Sequence, residues 1–107
     1  MYRTHHCAQL RASDIGNTAK LAGWVHVRRD HGGVIFIDLR DREGLTQVVF
    51  RPEENAELTQ IAHTLRHEDV IQVEGPVAAR VPGTENPKLP TGAIEIVPQS
   101  LRILNRA

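Results

Sequence analysis

The chain has 107 residues, 13 of them Lys or Arg and 13 Asp or Glu, with a single cysteine. That is one domain's worth of core and too little for a two-domain enzyme; zero net charge excludes a generic polycation that holds nucleic acid by charge alone. A lone Cys7 excludes an intrachain disulfide and a thiolate metal cluster and fits a reducing, cytosolic setting.

The N-terminus, MYRTHHCAQLR, has no long apolar run and no small-residue cleavage pattern, so it does not read as a signal peptide. No stretch approaches the roughly 20 apolar residues of a membrane span. From Lys20, KLAGWVHVRRD alternates in part and predicts a first strand, with Gly23 as a bend or bulge point. His31-Gly32-Gly33 breaks it, and VIFIDLR follows as a second strand. Asp41 to Gly44 predicts a tight hairpin turn, with Gly44 where positive φ is wanted, and LTQVVF a third strand. Three strands joined by short turns form an antiparallel meander.

The period then changes. PEENAELTQIAHTLRHED opens with a proline and two acids, which suit a helix N-terminus, and Leu58, Ile61, Ala62 and Leu65 form one apolar stripe. VIQVEGPVAAR predicts a fourth strand, with Gly75-Pro76 marking a bulge or edge; VPGTENPKLPTGA predicts a long loop, and GAIEIVPQSLRIL the fifth strand. Strands one to three, a helix, then strands four and five is the order of an OB-fold, an all-β five-stranded Greek-key barrel whose helix plugs one end. The loops expected to flank its binding face are 29 to 33 and 81 to 92.

On the second strand Ile35, Ile37 and Leu39 fall on one face, while Phe36, Asp38 and Arg40 fall on the other. The same alternation puts Gln47 and Glu95 on the outer side of their strands. One outer surface is therefore expected to present Phe36, Gln47 and Glu95, with Arg28 and Arg29 at its rim. An aromatic plate stacks a base, Gln47 carries donor and acceptor for a base edge, Glu95 accepts, and arginines anchor phosphate or a base carbonyl. Together they suit single-stranded RNA, whose bases are splayed out rather than hidden in a duplex. Plainer roles fit the same residues: Phe36 partly covered by a loop, a rim salt bridge in Arg-Arg-Asp, a solvated Gln47, an ordinary outward charge at Glu95.

The histidines carry less. His63 and His67 have the i, i+4 spacing of a metal pair but no third ligand nearby, and His5-His6 beside Cys7 matches no structural zinc pattern. No catalytic constellation is evident, and Gly32-Gly33 lacks the spacing and the Lys-Ser/Thr of a phosphate-binding loop. No metal or cofactor is expected in this domain.

The stretch LAGWVHVRRDHGGVIFIDLRDREGLTQVVF closely resembles the N-terminal anticodon-binding domain of bacterial-type aspartyl-tRNA synthetases. The resemblance covers essentially the whole chain, including YRTHHCAQLR, RHEDVIQVEGPVAAR, TGAIEIV and the closing LNRA. The GWV…RRD…F…LRD…G…Q pattern is shared with asparaginyl- and lysyl-specific relatives. HGGVIFIDLRDREG, the TG-IE-V strand and LNRA together favour the aspartyl branch.

The resemblance implies that Phe36 stacks on the central uridine of the anticodon, that Gln47 and Arg29 read that uridine's edge, and that Glu95 contacts a flanking base. Arg28, His31, Arg80 and Gly83 complete the implied anticodon-binding set. His31-Gly32 and the Gly83 loop look similar to the relaxed type, which charges tRNA-Asn as well as tRNA-Asp; the anticodons GUC and GUU differ only in the third base. Relatives commonly have three arginines before the aspartate, where this chain has Val27, Arg28 and Arg29, which implies lower RNA affinity and a shallower salt dependence. The resemblance further implies a cytoplasmic class II ligase whose catalytic domain, with ATP, Mg²⁺, aspartate and the homodimer contact, lies outside these residues. LNRA falls about where that family's linker begins, so the chain is expected to be a fragment without ligase activity of its own. Beside this reading stand a general single-strand nucleic-acid module, a protein-interaction domain, and the matching domain of an asparaginyl or lysyl enzyme.

Overall fold

The computed structural model describes residues 4–107, so the Tyr2 and Arg3 that open the resembling stretch lie outside the described residues. A 3-10 turn, Ala12–Asp14, precedes β1 (Thr18–His31), β2 (Val34–Arg40), β3 (Leu45–Phe50), α1 (Ala56–Ala62), β4 (Val70–Ala79), β5 (Ile94–Ile96) and β6 (Ser100–Asn105). β1, β2 and β3 form the expected antiparallel meander. β3 pairs in parallel with β5, β5 antiparallel with β4, and β4 antiparallel with β1, which closes a ring of five strands. This is the OB-fold, mostly β with one helix between the third and fourth strands. No helix among the described residues is long and apolar enough to cross a membrane.

The predicted fifth strand is split. β5 and β6 follow one edge of β4 but separate at Val97–Gln99, where the pairing shifts from Val77↔Ile96 to Glu74↔Ser100. Pro98 has no N–H to give a ladder, and the backbone there crosses directly over Gly75. A Cβ on Gly75 would lie 2.8 Å from the Pro98 Cα and closer still to the Val97 carbonyl oxygen. Gly75 therefore serves the irregularity of the strand that faces it.

The inward set is the one the alternation demands: Leu21, Val25, Ile35, Ile37, Leu39, Val48, Ile71, Val73, Ile94 and Ile96 are buried in one cluster. Each such side chain stabilises the fold by about 1.5–3 kcal/mol relative to exposure. Leu58, Ala62 and Leu65 pack on it from the helical segment, but Ile61, expected in the same stripe, is 39% exposed. The helix is also shorter than its pattern. Glu54 and Asn55 donate their N–H groups to the Arg51 carbonyl in a turn, and the Asn55 side chain caps α1 by accepting from Leu58 N–H at 3.0 Å. Asn55, rather than the proline and acids before it, is the helix start.

The loop expected over 29 to 33 is only two residues long, and the reading of the Gly44 turn is corrected. The β1–β2 hairpin turns on Gly32 and Gly33, with φ of +62° and +91°, a two-residue loop whose twist suits the flanking strands. Gly44, in contrast, is not among the positive-φ residues. Its turn is held by Asp41, whose Oδ1 accepts from Glu43 N–H (2.8 Å) and Gly44 N–H (3.1 Å), while Oδ2 accepts from Cys7 N–H (2.8 Å). Burial pushes the Asp41 carboxyl upward, and these amide donors outweigh it and leave the group below the usual carboxylate value. Gly44 is glycine because a Cβ would come within 2.7 Å of the Ala8 Cβ. The β1 bulge, expected at Gly23, lies between Val25 and Val27, at His26.

Candidate functional site

Strand register decides which side chains meet. Paired residues share a face. Arg29 pairs with Phe36, and Phe36 with Val49; Val27 pairs with Asp38, and Asp38 with Gln47. Arg28 pairs with Ile37, so it sits on the opposite side of the hairpin from Arg29 and does not join the cluster expected of it. The Phe36 ring is half-buried, with His31 edge-on at a centroid distance of 5.6 Å and 72°. Arg29 makes two parallel bonds to Asp38, Nη1 to Oδ2 at 2.9 Å and Nη2 to Oδ1 at 3.0 Å. Arg29, His31, Phe36, Gln47 and Thr84 line a concavity of about 320 Å³.

The expected openness of Gln47 and Glu95 is wrong. They are 6% and 2% exposed, and Arg80 is 7% exposed. The alternation is correct; what it could not show is the cover. The loop after β4 lies across β3 and β5, tied by Thr91 Oγ1 donating to the Leu45 carbonyl, Asn86 N–H to Gly92 O (2.9 Å) and Arg80 N–H to Ala93 O (3.1 Å). Arg80 tucks beneath it, with Nε donating to Ile94 O and Nη1 to Gln47 Oε1, both at 3.1 Å. Gln47 Nε2 donates to Glu95 Oε1 at 2.9 Å, and Arg51 Nη2 lies 3.2 Å from Glu95 Oε2. A carboxylate this buried persists only when paired in this way.

Arg80 Nη2 is also buried, and it has no hydrogen-bond partner among the described residues. Burial pushes the Arg80 guanidinium below the usual arginine value, Asp38 and Glu95 draw it back up, and Arg29 lowers it again. The guanidinium keeps its charge through all of this, because arginine is not deprotonated in proteins. Gly83 is an exposed, positive-φ residue beside Thr84, its N–H bonded to Glu85 Oε1 at 2.8 Å.

Sequence reasoning missed Arg51, Thr84 and the pairing role of Asp38. Arg51 was accessible to the period-two rule: Gln47, Val49 and Arg51 continue one face just past the end of β3. Thr84 sits in a loop with no period to read. The histidines do not converge. His63 Nδ1 lies 3.6 Å from Asp30 Oδ2, and His67, beyond the helix end, places Nδ1 2.7 Å from the His26 carbonyl. No group of three or more His, Cys, Asp or Glu among the described residues is arranged to hold a metal ion. Cys7 is fully buried in the core.

The arrangement is a flat apolar ring beside a donor-rich recess, with Gln47, Arg80 and Glu95 buried and the Arg29–Asp38 pair at its edge. Known proteins resemble the chain in sequence and in fold. Residues 19–104 match the model of the OB-fold nucleic acid binding domain family. The chain is 57% identical over 104 residues to the aspartate–tRNA(Asp/Asn) ligase of Methylacidiphilum infernorum, covering 97% of this chain and 17% of that one. It is 59% identical over 105 residues to the ligase of the same description from Magnetococcus marinus, covering 98% and 17%. The chain thus spans under a fifth of the length of these relatives. Among solved structures, asparaginyl-tRNA synthetase from Pyrococcus horikoshii complexed with asparaginyl-adenylate superposes with a TM-score of 0.82 at 27% identity, over 100% of this chain and 23% of that one. OBody AM3L15 bound to hen egg-white lysozyme superposes with a TM-score of 0.83 at 31% identity, over 98% and 96%.

Proposed function

The chain belongs to the OB-fold nucleic acid binding domain family, in the form carried by aspartate–tRNA ligases, and from that premise we propose that it reads the anticodon of tRNA-Asp and tRNA-Asn as one domain of such a ligase. The observation that carries this reading is the Phe36 ring, half-buried on the outer face of β2 and flanking a concavity walled by Arg29, His31, Gln47 and Thr84. A base stacked on Phe36 brings its edge to the Gln47–Arg80 recess. Arg29, held flat by Asp38, lines the same concavity and reads the base edge beside Gln47. Glu95 acts from beneath, through Gln47. Ligation itself, with ATP and Mg²⁺, is the work of the remainder of the ligase.

Relaxed specificity is assigned to His31 and Gly83 in this reading. His31 and Thr84, the neighbour of Gly83, line the concavity, and neither is a buried acceptor or donor dedicated to one pyrimidine. A dedicated contact would discriminate by about 1–3 kcal/mol; without it, C and U are treated alike. The test is calorimetric binding of anticodon stem-loops bearing GUC, GUU and GCC, the last changed at the central base. Equal affinity for GUC and GUU, with GCC at least tenfold weaker, is expected. A tenfold preference for GUC over GUU overturns the relaxed specificity, and equal binding of all three overturns anticodon reading in favour of a general single-strand module.

A further inference from the structure

The Arg80 guanidinium is electrostatically within reach of two carboxylates, Asp38 and Glu95, and hydrogen-bonds to neither. Each carboxylate is claimed by another arginine: Asp38 by Arg29 in a two-bond fork, and Glu95 by Arg51. Arg80 is left with two neutral acceptors, the Ile94 carbonyl and Gln47 Oε1, and with a buried Nη2 that has no partner among the described residues. A buried donor in that state costs about 1–3 kcal/mol, more when charged. A nearby carboxylate would relieve it if one were released.

We propose that Arg51 is a positioning residue for base reading: by holding Glu95 Oε2 it keeps the carboxylate off Arg80, so that Arg80 Nη2 stays available to an acceptor on the incoming base. This rests on the anticodon reading above. Arg51 can hold Glu95 because its own backbone is fixed, its carbonyl accepting from Glu54 and Asn55 N–H at 3.0 Å each. Its side chain enters along the face that Gln47 and Val49 already occupy. The five charges of the site sum to one surplus positive charge, three arginines against two carboxylates, in a chain whose net charge is zero. Arg51 determines which arginine carries the surplus. Without it Glu95 swings to Arg80 and drags the Gln47 amide with it, because Gln47 Nε2 donates to the same carboxylate.

The test is a double-mutant cycle read as binding of the 107-residue chain to GUC stem-loops and to GCC stem-loops, which change the central base. Arg51→Met is expected to weaken GUC binding about tenfold or more and to narrow the GUC-to-GCC ratio. Arg51→Lys, which keeps a cation opposite Glu95, restores most of the affinity. In the Glu95→Gln background, Arg51→Met produces no further loss, since no carboxylate remains to be held. Glu95→Gln and the double variant differ only in a half-buried side chain that no longer faces a carboxylate, so the comparison stands even if Arg51→Met alone fails to fold. A loss that persists in the Glu95→Gln background and is equal for both stem-loops means that Arg51 touches phosphate directly, and the proposal falls. Unchanged binding of Arg51→Met also overturns it. If the wild-type chain does not distinguish GUC from GCC, the anticodon reading fails first and Arg51 with it.

Discussion

Replacing Phe36 separates stacking from folding, and the structure sets both magnitudes. The ring is half-buried on the outer face, so its removal takes nothing from the inner cluster of Ile35, Ile37 and Leu39. Losing partial burial costs about 1–2 kcal/mol, and losing the edge contact with His31 about 0.5–1.5 kcal/mol. Against a typical stability of about 5–15 kcal/mol the variant stays folded. Base–aromatic stacking is worth about 1–3 kcal/mol, so Phe36→Ala is expected to raise the Kd for a GUC stem-loop about 5- to 160-fold. Phe36→Leu refines the test. It keeps most of the apolar area but offers no flat plate, so it should recover stability and not affinity. Phe carries no charge, so plots of log Kd against log salt for wild type and both variants should run parallel, displaced but equal in slope.

Titration calorimetry at three salt concentrations, with urea unfolding on the same samples, gives every quantity needed. Phe36→Leu binding as tightly as wild type would refute the stacking argument, because a base needs a π-face and leucine has none. A changed salt slope would refute it differently, by showing that the ring acts through a rearrangement of Arg29.

Asp69, 1% exposed, accepts from Arg66 N–H (2.8 Å) and Ala107 N–H (2.9 Å), with Arg106 Nη1 at 3.3 Å. Burial pushes its pKa up, but those donors outweigh it and hold the group below its ordinary value. A carboxylate depressed by folding stabilises fully above its unfolded value and loses that contribution as pH falls through the folded one. Asp69→Asn should therefore cost about 2–3 kcal/mol at pH 7, with the urea midpoints of variant and wild type converging as the pH is lowered below about 4; a constant gap would sink the assignment. Glu68 holds φ at 72° so that its N–H can reach Val25 O at 2.7 Å. Glu68→Gly should raise stability by about 0.5–1 kcal/mol, the left-handed strain relieved less the extra freedom of the unfolded chain; any loss in urea unfolding contradicts this. Gly75→Ala pushes a methyl into the Val97–Pro98 crossing and should cost about 2–3 kcal/mol, so a wild-type midpoint would show that β5 and β6 can part there freely.

The legible part of the fold was the part with a period. Alternation alone places Ile35, Ile37, Leu39, Ile94 and Ile96 inward, and every one is buried. The meander, the helix after it and the order of the remaining strands follow from changes of period and from turn residues. What stayed hidden lacks periodicity or depends on distant partners. Asn55 as the helix cap looked no stronger in sequence than the Pro52-Glu53-Glu54 before it, and only the turn that closes on Arg51 O decides between them. Gly44 carries no signal of Ala8, 36 positions earlier, as the neighbour that requires it.

The site was legible by face but not by depth. Period two assigns Phe36, Gln47 and Glu95 to the outer side of a barrel, and there it stops, because it cannot see a loop of prolines and glycines lying down over that side. The difference changes the chemistry. An exposed Gln47 would be a free donor and acceptor that a base meets in water. The Gln47 of the structure is already committed at both ends, to Glu95 and to Arg80. A base edge reaching it must exchange with partners whose geometry is fixed in advance, and pays little to order them. A mismatched edge breaks those bonds and replaces them poorly, leaving buried polar groups unpaired at about 1–3 kcal/mol each. In the proposed reading, discrimination on this face comes from the burial of Gln47, Glu95 and Arg80, which is what makes a wrong base costly.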